Sequence, residues 1–530
     1  MEKLYYNGKI ITMADTRPEA VLVCDGKIKR IGTLEAVKQA ASRDADWIDL
    51  QGKCLMPSFI DSHSHIVMSG QMACFADLSD CKSLEDMVSI LKKYMADRKV
   101  GRDGIVVGVG YDHNFLKERR HPDKFVLDRV SEDIPVMVLH VSAHLGCVNS
   151  VALKLSGINE NTGNPEGGII GRIGESSEPS GYMEEAGLAL VQKVLGKKIH
   201  LDVSTVMSQM QKTYIEHGIT TAQDGASTEA DIKLLKNMGD SQQLKIDVVA
   251  YPLMTAGGAD LLRKYRNLDG RYENHLKIGG YKIILDGSPQ GRSAWMSEPY
   301  LEGEEGYCGY PAFDDETLKK YVLQAVEERK QLLAHCNGDA AAEQFLKTYE
   351  SCMASVGRGA DLRPVMIHCQ TVRKDQLERM AEIRMIASMF VGHVWYWGDV
   401  HVKNLGRERG QRISPVRDAI DRGVIVNFHQ DTPVTKPNML HSVWCASNRV
   451  SRSGQVVGEE QKVTVYEALK AVTINGAYQY FEENEKGSIE EGKRADLVIL
   501  DRSPLETEVS EIKDIQVLET MKDGMTIYRK

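Results

Sequence analysis

Along the middle of the chain, short runs of aliphatic and β-branched residues alternate with longer stretches in which apolar positions recur every three or four residues. The short runs predict strands at residues 55–61, 219–223, 246–251, 281–285, 332–335, 365–368, 385–389 and 424–428. The longer stretches predict amphipathic helices between them. One covers 316–329, with Leu318, Val322, Ala325 and Val326 on a single stripe, and another covers 339–351. Such alternation is the pattern of a parallel sheet, because a parallel neighbour is reached only through a crossover. Eight pairs predict an α/β fold of the (β/α)8 TIM-like barrel type rather than an open sheet.

A barrel of about 250 residues uses roughly 30 per strand–helix pair, yet far more chain separates the first two strands. Residues 71–201 therefore read as an inserted α/β subdomain. It contains strand-like segments at 104–109 and 135–141, a glycine-rich loop at 163–174 and a helical stretch at 182–195. Active sites of barrels are built at the C-terminal ends of the strands, so an insert after the first strand is expected to act as a lid. At the chain ends, Asp25-Gly26 and Asp523-Gly524 each sit between strand-like runs. That is a hairpin signal, since both turn residues need positive φ. A lone hairpin is marginal in water. Together with a candidate strand at 495–500, the two hairpins predict one small β-sandwich domain built from 1–54 and 480–530, beside a barrel domain over 55–479.

Composition narrows the partners. With 66 Lys+Arg against 75 Asp+Glu the formal charge is −9, which argues against nucleic acid or an acidic membrane surface, both polyanions. The first residues lack the basic start and apolar stretch of a secretory signal. No run approaches the roughly 18 apolar residues of a membrane span, so a cytoplasmic protein acting on a small molecule is expected. The 10 cysteines contain no Cys-x-x-Cys pair, and most read as buried thiols rather than a disulfide framework.

Candidate chemistry gathers at the ends of the predicted strands. Asp61-Ser62-His63-Ser64-His65 follows the first. Residues two apart in an extended segment share a face, so His63 and His65 can hold one metal ion through two imidazoles. Alone, His-x-His is a weak signal. It gains weight because His335 and His368 end two other strands and Asp431 follows the last, where a barrel places its catalytic groups. Lys282 lies inside a strand, where a lysine is costly unless paired or chemically altered. Carbon dioxide added to its amine would give a carbamate able to bridge two cations; an ion pair with Asp286 on the same face is the alternative.

These residues fall in motifs that span nearly the whole chain. They are Met56-Pro57-Ser58-Phe59-Ile60-Asp61-Ser62-His63-Ser64-His65, Gly110-Tyr111-Asp112, His144 with Asn149-Ser150, Asp286-Gly287-Ser288, His335-Cys336-Asn337-Gly338-Asp339, His368-Cys369-Gln370 and Asp431-Thr432-Pro433-Val434. The set resembles the family 3 branch of the amidohydrolase superfamily of metal-dependent hydrolases. The resemblance implies a two-metal site, with His63, His65 and Asp431 on the more buried ion, N-carboxylated Lys282 bridging, and His335 and His368 on the second. Zinc is the default, with iron, manganese and nickel open. It also implies that Asp431 is the catalytic base that becomes an acid, cleaving a C–N amide-type bond in an N-acyl or N-formyl amine or a cyclic amide. A homodimer is common among such proteins.

Tyr111, Asp112, His144, Arg292, Trp295, His393 and His429 are the expected substrate contacts. Several depart from the branch's pattern. His429-Gln430 stands where Gly-Ser is usual, Tyr111 where tryptophan is usual, and Arg292 could clamp an anionic group or simply pair at the surface. His429 could equally be a buried structural histidine. His113 and His121 flank the charged run 117–120, which reads as a solvated face. Trp395 and Trp397 suit packing against the barrel rim as well as a substrate pocket. The glycines at 163, 167, 168, 171 and 174 do not spell a phosphate-binding loop.

Two other functions fit the same scaffold. A one-metal deaminase of a heterocyclic amine would be expected to carry glutamate three residues after His335, where this chain has Gly338. A regulatory or binding protein on an inactive scaffold would have no physical reason to keep metal donors inside.

Overall fold

A computed structural model describes residues 2–142, 144–199, 202–356 and 361–530; the predicted end of the insert, Leu201, lies outside them. The chain divides into two compact units, one formed by Met1–Val67 with Gln211–Lys530 and the other by Met68–Met210.

The first unit is an α/β structure built on eight parallel strands: β1 (Phe59–Ile60), β2 (Ile219–Ser227), β3 (Asp247–Pro252), β4 (Gly280–Ile284), β5 (Gln331–Cys336), β6 (Val365–His368), β7 (Ile386–Met389) and β8 (Val426–Phe428). They form two ladders, β1-β2-β3 and β4-β5-β6-β7-β8, each in chain order. The ladders meet where Leu276–Ile278 pairs with β3 and runs on through Gly279 into β4. Gly279 is required there, because a Cβ would lie 2.5 Å from the Tyr251 hydroxyl. A parallel bridge between Leu253 and Lys282 continues the contact. These strands are buried almost throughout, as parallel strands covered by helices on their crossovers must be. The helix predicted at 316–329 spans Asp315–Glu327, capped by Asp314, and buries Leu318, Val322, Ala325 and Val326 as the pattern requires.

One predicted strand divides. Residues 55–61 read as a single run because every position before Asp61 is apolar or small, yet the chain changes sheets at Ser58. Cys54–Pro57 pairs antiparallel with Leu497–Leu500, while Phe59 begins β1. The switch is pinned by the Ser58 N–H donating to the Asp496 carbonyl at 3.0 Å and the Phe59 N–H donating to the Gly218 carbonyl at 2.9 Å.

Both predicted hairpins form, Ala20–Cys24 with Lys27–Gly32 and Val517–Lys522 with Met525–Arg529. Their turns have positive φ at Asp25, Gly26, Asp523 and Gly524, as the Asp-Gly pairs demand. They belong to two sheets, Glu2–Tyr6 with its neighbours and Cys54–Pro57 with the C-terminal strands, which bury Val21, Val23, Leu55, Leu497, Ile499 and Met521 in a common core. Under this core lies a knot of buried charge. Asp247, the first residue of β3 and 1% exposed, receives Lys486 at 2.5 Å and Lys522 at 2.9 Å, and Lys522 also reaches Asp496 at 2.8 Å.

The second unit is a six-stranded mixed sheet in the order Gly168–Arg172, Pro179–Glu185, Leu145–Val148, Val136–His140, Val106–Tyr111, Ala76–Asp77. Alternate residues feed two cores, Val106, Val136 and Val138 on one face and Val107, Met137 and Leu139 on the other, as the two-residue period of a strand dictates. Two expectations shift here. The glycine-rich stretch contains a strand, Gly168–Arg172, and the helix expected from residue 182 begins at Ala186, because Pro179–Glu185 pairs with that strand. Glycine serves close approach rather than flexibility: a Cβ on Gly168 would lie 2.4 Å from the Gly187 nitrogen.

Among the described residues no helix is long and apolar enough to cross a membrane. All ten cysteines are free thiols, and Cys24 and Cys308 alone are not buried.

Candidate metal centre

The six predicted ligands come together at the C-terminal ends of the parallel strands in the first unit. The β5/β6 register sets Cys336 against His368, so His335 and His368 lie side by side, His368 Nε2 being 3.1 Å from His335 Nδ1. Asp431 Oδ1 lies 3.4 Å from Nε2 of both His63 and His65, and its Oδ2 is 3.9 Å from His368 Nε2. Lys282, 1% exposed, places Nζ 3.2 Å from His63 Nε2. His368 and Asp431 both have positive φ, 76° and 52°, uncommon for residues with a Cβ and often found at functional sites.

The hydrogen bonds around His63 fix which of its ring nitrogens carries the proton. Gln223 donates its amide N–H groups to the Ser62 carbonyl and the Tyr480 hydroxyl, so its Oε1 faces His63 Nδ1 at 2.6 Å. His63 Nδ1 therefore holds the proton and Nε2 the lone pair. His335 Nε2 faces two acceptors, the Gly287 carbonyl at 3.2 Å and Asp286 Oδ1 at 3.5 Å, and one donor, the Asn337 side-chain amide nitrogen at 3.0 Å. His63 Nε2 thus faces the Asp431 carboxylate acceptor to acceptor, with the Lys282 amine beside it at 3.2 Å. Asp431 Oδ1 is buried with no hydrogen-bond partner. A cation there would satisfy the carboxylate and the imidazole lone pair together, and the donor atoms of His63, His65 and Asp431 lie within 4.8 Å of one another, a spacing that suits one ion. Nitrogen and carboxylate donors fit a divalent metal.

Electrostatics agree with that geometry. Burial holds the His63 and His368 imidazoles well below the usual histidine range, that is, neutral, as metal ligands must be. Burial works against an ionised Asp431, but His65 and the other surrounding imidazoles outweigh it and keep the carboxylate charged. Burial lowers Lys282 to about 7, partly opposed by Asp431. Its governing carboxylate is Asp431 rather than Asp286, which instead accepts backbone N–H groups from Asn337, Gly338 and Trp295 at 2.7–3.1 Å.

The remaining predicted residues are dispersed. His429 touches the group, its Nε2 being 3.2 Å from His368 Nδ1. His393 packs on Phe390, which packs on His429, and hydrogen-bonds His401 at 3.0 Å. Trp397 is buried against Phe390 and His393, while Trp395 packs on Trp444. The Trp295 backbone lies against Gly338, where a Cβ would fall 1.8 Å from the Trp295 oxygen. No side chain can occupy position 338 without moving that segment, so glutamate is excluded there. Arg292, half-buried, lies over Gly303.

Tyr111, Asp112 and His144 belong to the second unit. His144 pairs with Glu185 at 3.0 Å. Asp112, His113 and His140 also bring donor atoms within 4.8 Å, and Tyr111 hydrogen-bonds His121 at 3.0 Å. The charged run at 117–120 is exposed as expected, but His113 and His121 are not part of it: their rings stack at 4.0 Å, against His140. Proton accounting separates this trio from the first. The Ser142 N–H donates to His140 Nδ1 at 3.1 Å, which leaves the His140 proton on Nε2, facing His113 Nδ1 at 3.2 Å and Asp112 Oδ1 at 3.6 Å. Donor meets acceptor between His140 and His113.

Sequence reasoning missed Gln223, Tyr480 and Ser388. Gln223 had a signal, a polar residue at the C-terminal end of a predicted strand. Tyr480 comes from a helix end far along the chain and had none.

This donor set, on parallel strands in an α/β unit, defines the class. The model of the amidohydrolase family matches residues 46–528, and the chain belongs to that family. It is 27% identical to the N-substituted formamide deformylase of Arthrobacter pascens, over 99% of this chain and 97% of that protein. It is equally 27% identical to the Arabidopsis thaliana protein LONG AFTER FAR-RED 3, over 99% and 91%. Among solved structures, an uncharacterized metal-dependent hydrolase from Pyrococcus horikoshii aligns with a TM-score of 0.76 and 25% identity, covering 96% of this chain and 99% of that one. The fold is of the amidohydrolase type, and family and neighbours support a hydrolase that uses a divalent metal.

Proposed function

We propose that the eight parallel strands close into a (β/α)8 barrel and that the chain hydrolyses the C–N bond of an N-acyl or N-formyl amine or a cyclic amide. Closure is supported by the His65 N–H, just beyond β1, donating to the Thr432 carbonyl beyond β8 at 2.8 Å. His63, His65 and Asp431 would hold one ion, His335 and His368 a second, and Lys282 as a carbamate would bridge them. The single observation that carries this reading is the gathering of four imidazoles, Lys282 and Asp431 at the strand ends, with the donor atoms of His63, His65 and Asp431 within 4.8 Å of one another. Lys282 suits the bridging role because carbon dioxide adds only to a neutral amine, and burial brings its amine to about 7. Zinc is the first metal to test.

Bound divalent ions would supply a Lewis acid for the scissile carbonyl and lower the pKa of water. The protein's own work is proton handling. Asp431 takes the proton released as water adds to the carbonyl and returns it to the leaving nitrogen, so that amide and water become carboxylate and amine. The amide class rests on the likeness to N-substituted formamide deformylase, and the excluded glutamate at 338 weighs against a ring deaminase. Tyr111, Asp112, His144, Arg292, Trp295, His393 and His429 are assigned to substrate on the family resemblance.

The test is to strip the protein of metal, reload it with zinc and bicarbonate, and assay a panel of N-formyl and N-acyl amines for amine release. Metal-dependent release is expected. Cleavage undiminished in the stripped protein, or ammonia release from heterocyclic amines with no amide cleaved, would overturn the reading. A second prediction concerns Gln223: Gln223→Leu removes the acceptor of the His63 Nδ1 proton and is expected to weaken zinc binding about 10–100-fold, as read by chelator competition.

A further inference from the structure

We propose that His429 is a positioning residue that fixes the tautomer of His368 and so holds the second ion; the proposal rests on the two-ion reading above. His429 follows β8 directly, and its ring is completely buried, packed edge-on against His63 and His368 with centroids 5.2 and 5.1 Å apart. Its Nε2 lies 3.2 Å from His368 Nδ1 and its Nδ1 lies 3.0 Å from the Ser388 hydroxyl, within β7.

His368 can offer a lone pair toward His335 only from Nε2, which requires its proton on Nδ1. That proton points at His429 Nε2. If His429 accepts it there, its own proton sits on Nδ1 and donates to Ser388 Oγ. The chain has one consistent direction, His368 to His429 to Ser388, and every ring nitrogen in it is used. The reverse direction puts the His368 proton on Nε2, against His335 Nδ1, and closes that pair to a cation. His429 thus stands to His368 as Gln223 stands to His63, an acceptor behind the ligand ring.

The experiment is a zinc titration of the metal-free protein against a chromophoric chelator, with thermal melting of each metal-free variant as the folding control. The unaltered protein is expected to take up two equivalents. His429→Leu, which fills the space without an acceptor, should leave one equivalent unchanged and weaken the other about 10–100-fold. His429→Gln, whose amide oxygen can stand near the Nε2 position, should recover most of the loss, which a merely space-filling role would not produce. If the Leu variant melts early, His429→Asn, too short to reach His368, replaces it with the same expected loss. Two equivalents bound by the Leu or Asn variant as tightly as by the unaltered protein would overturn the role of His429 alone, as would a Gln variant no better than Leu. A single equivalent in the unaltered protein would overturn the two-ion reading, and this proposal with it.

Discussion

Asp431→Asn is expected to lower turnover about 10²–10⁴-fold, the usual worth of a positioned acid–base group, while KM changes by less than tenfold. Asn keeps the shape of the side chain and one oxygen toward His63 and His65, but it cannot take up a proton at neutral pH. The environment of Asp431 makes that proton the issue: two imidazole nitrogens stand 3.4 Å from Oδ1, and the carboxylate is held well below its usual range despite burial. Loss of activity through loss of metal is separated by assaying at saturating zinc. A variant that regains full turnover there would show that Asp431 acts only as a ligand.

Lys282→Met is expected to abolish hydrolysis and lower zinc uptake from two equivalents toward one or none, and at the same time to stabilise the metal-free protein. The second effect follows from burial. In the fold the amine is lowered from 10.5 to about 7, so the folded state resists a charge that the unfolded chain carries freely. The cost is present in full below about pH 7, shrinks as pH rises and vanishes above about pH 10.5. Below pH 7 it amounts to roughly 5 kcal/mol at about 1.4 kcal/mol per pH unit. Chemical denaturation of both metal-free proteins at pH 6.5 and pH 9.5 checks it. Methionine should be ahead at both pH values, and by less at the higher. Equal stability at pH 6.5 would mean that the ammonium is solvated or paired after all.

The strands, the terminal hairpins and the six residues that gather at the strand ends were legible in the sequence because each rests on a local rule. Parallel strands covered on both faces are unbroken apolar runs, Asp-Gly writes its own turn, and ligands at strand ends stand beside those runs. What was not legible depended on partners distant in the chain. The crossing at Ser58 is set by Asp496 and Gly218, neither of which leaves a mark on residues 55–61. Gly168–Arg172 passed for a loop because its glycines serve a close approach to the helix at Ala186. His113 and His121 were read with the charged run between them, although stacking and a tyrosine hydroxyl withdraw them from it. The tautomer chains through Gln223 and through His429 with Ser388 are invisible to any reading of ligand spacing, since they concern the far side of each ring.

The buried charges around Asp247 carry a practical consequence. Lys522 belongs to the next-to-last strand, yet its ammonium is shared between Asp247 and Asp496, both nearly sealed from water. A chain stopped at Gln516 would strand two carboxylates in an apolar setting with one counter-ion fewer, a defect that typically costs about 3–5 kcal/mol. The last strands are therefore not dispensable trimming for the catalytic half. Anyone shortening this protein for crystallography or display would do better to cut nothing from its carboxyl end and to attach tags through a spacer.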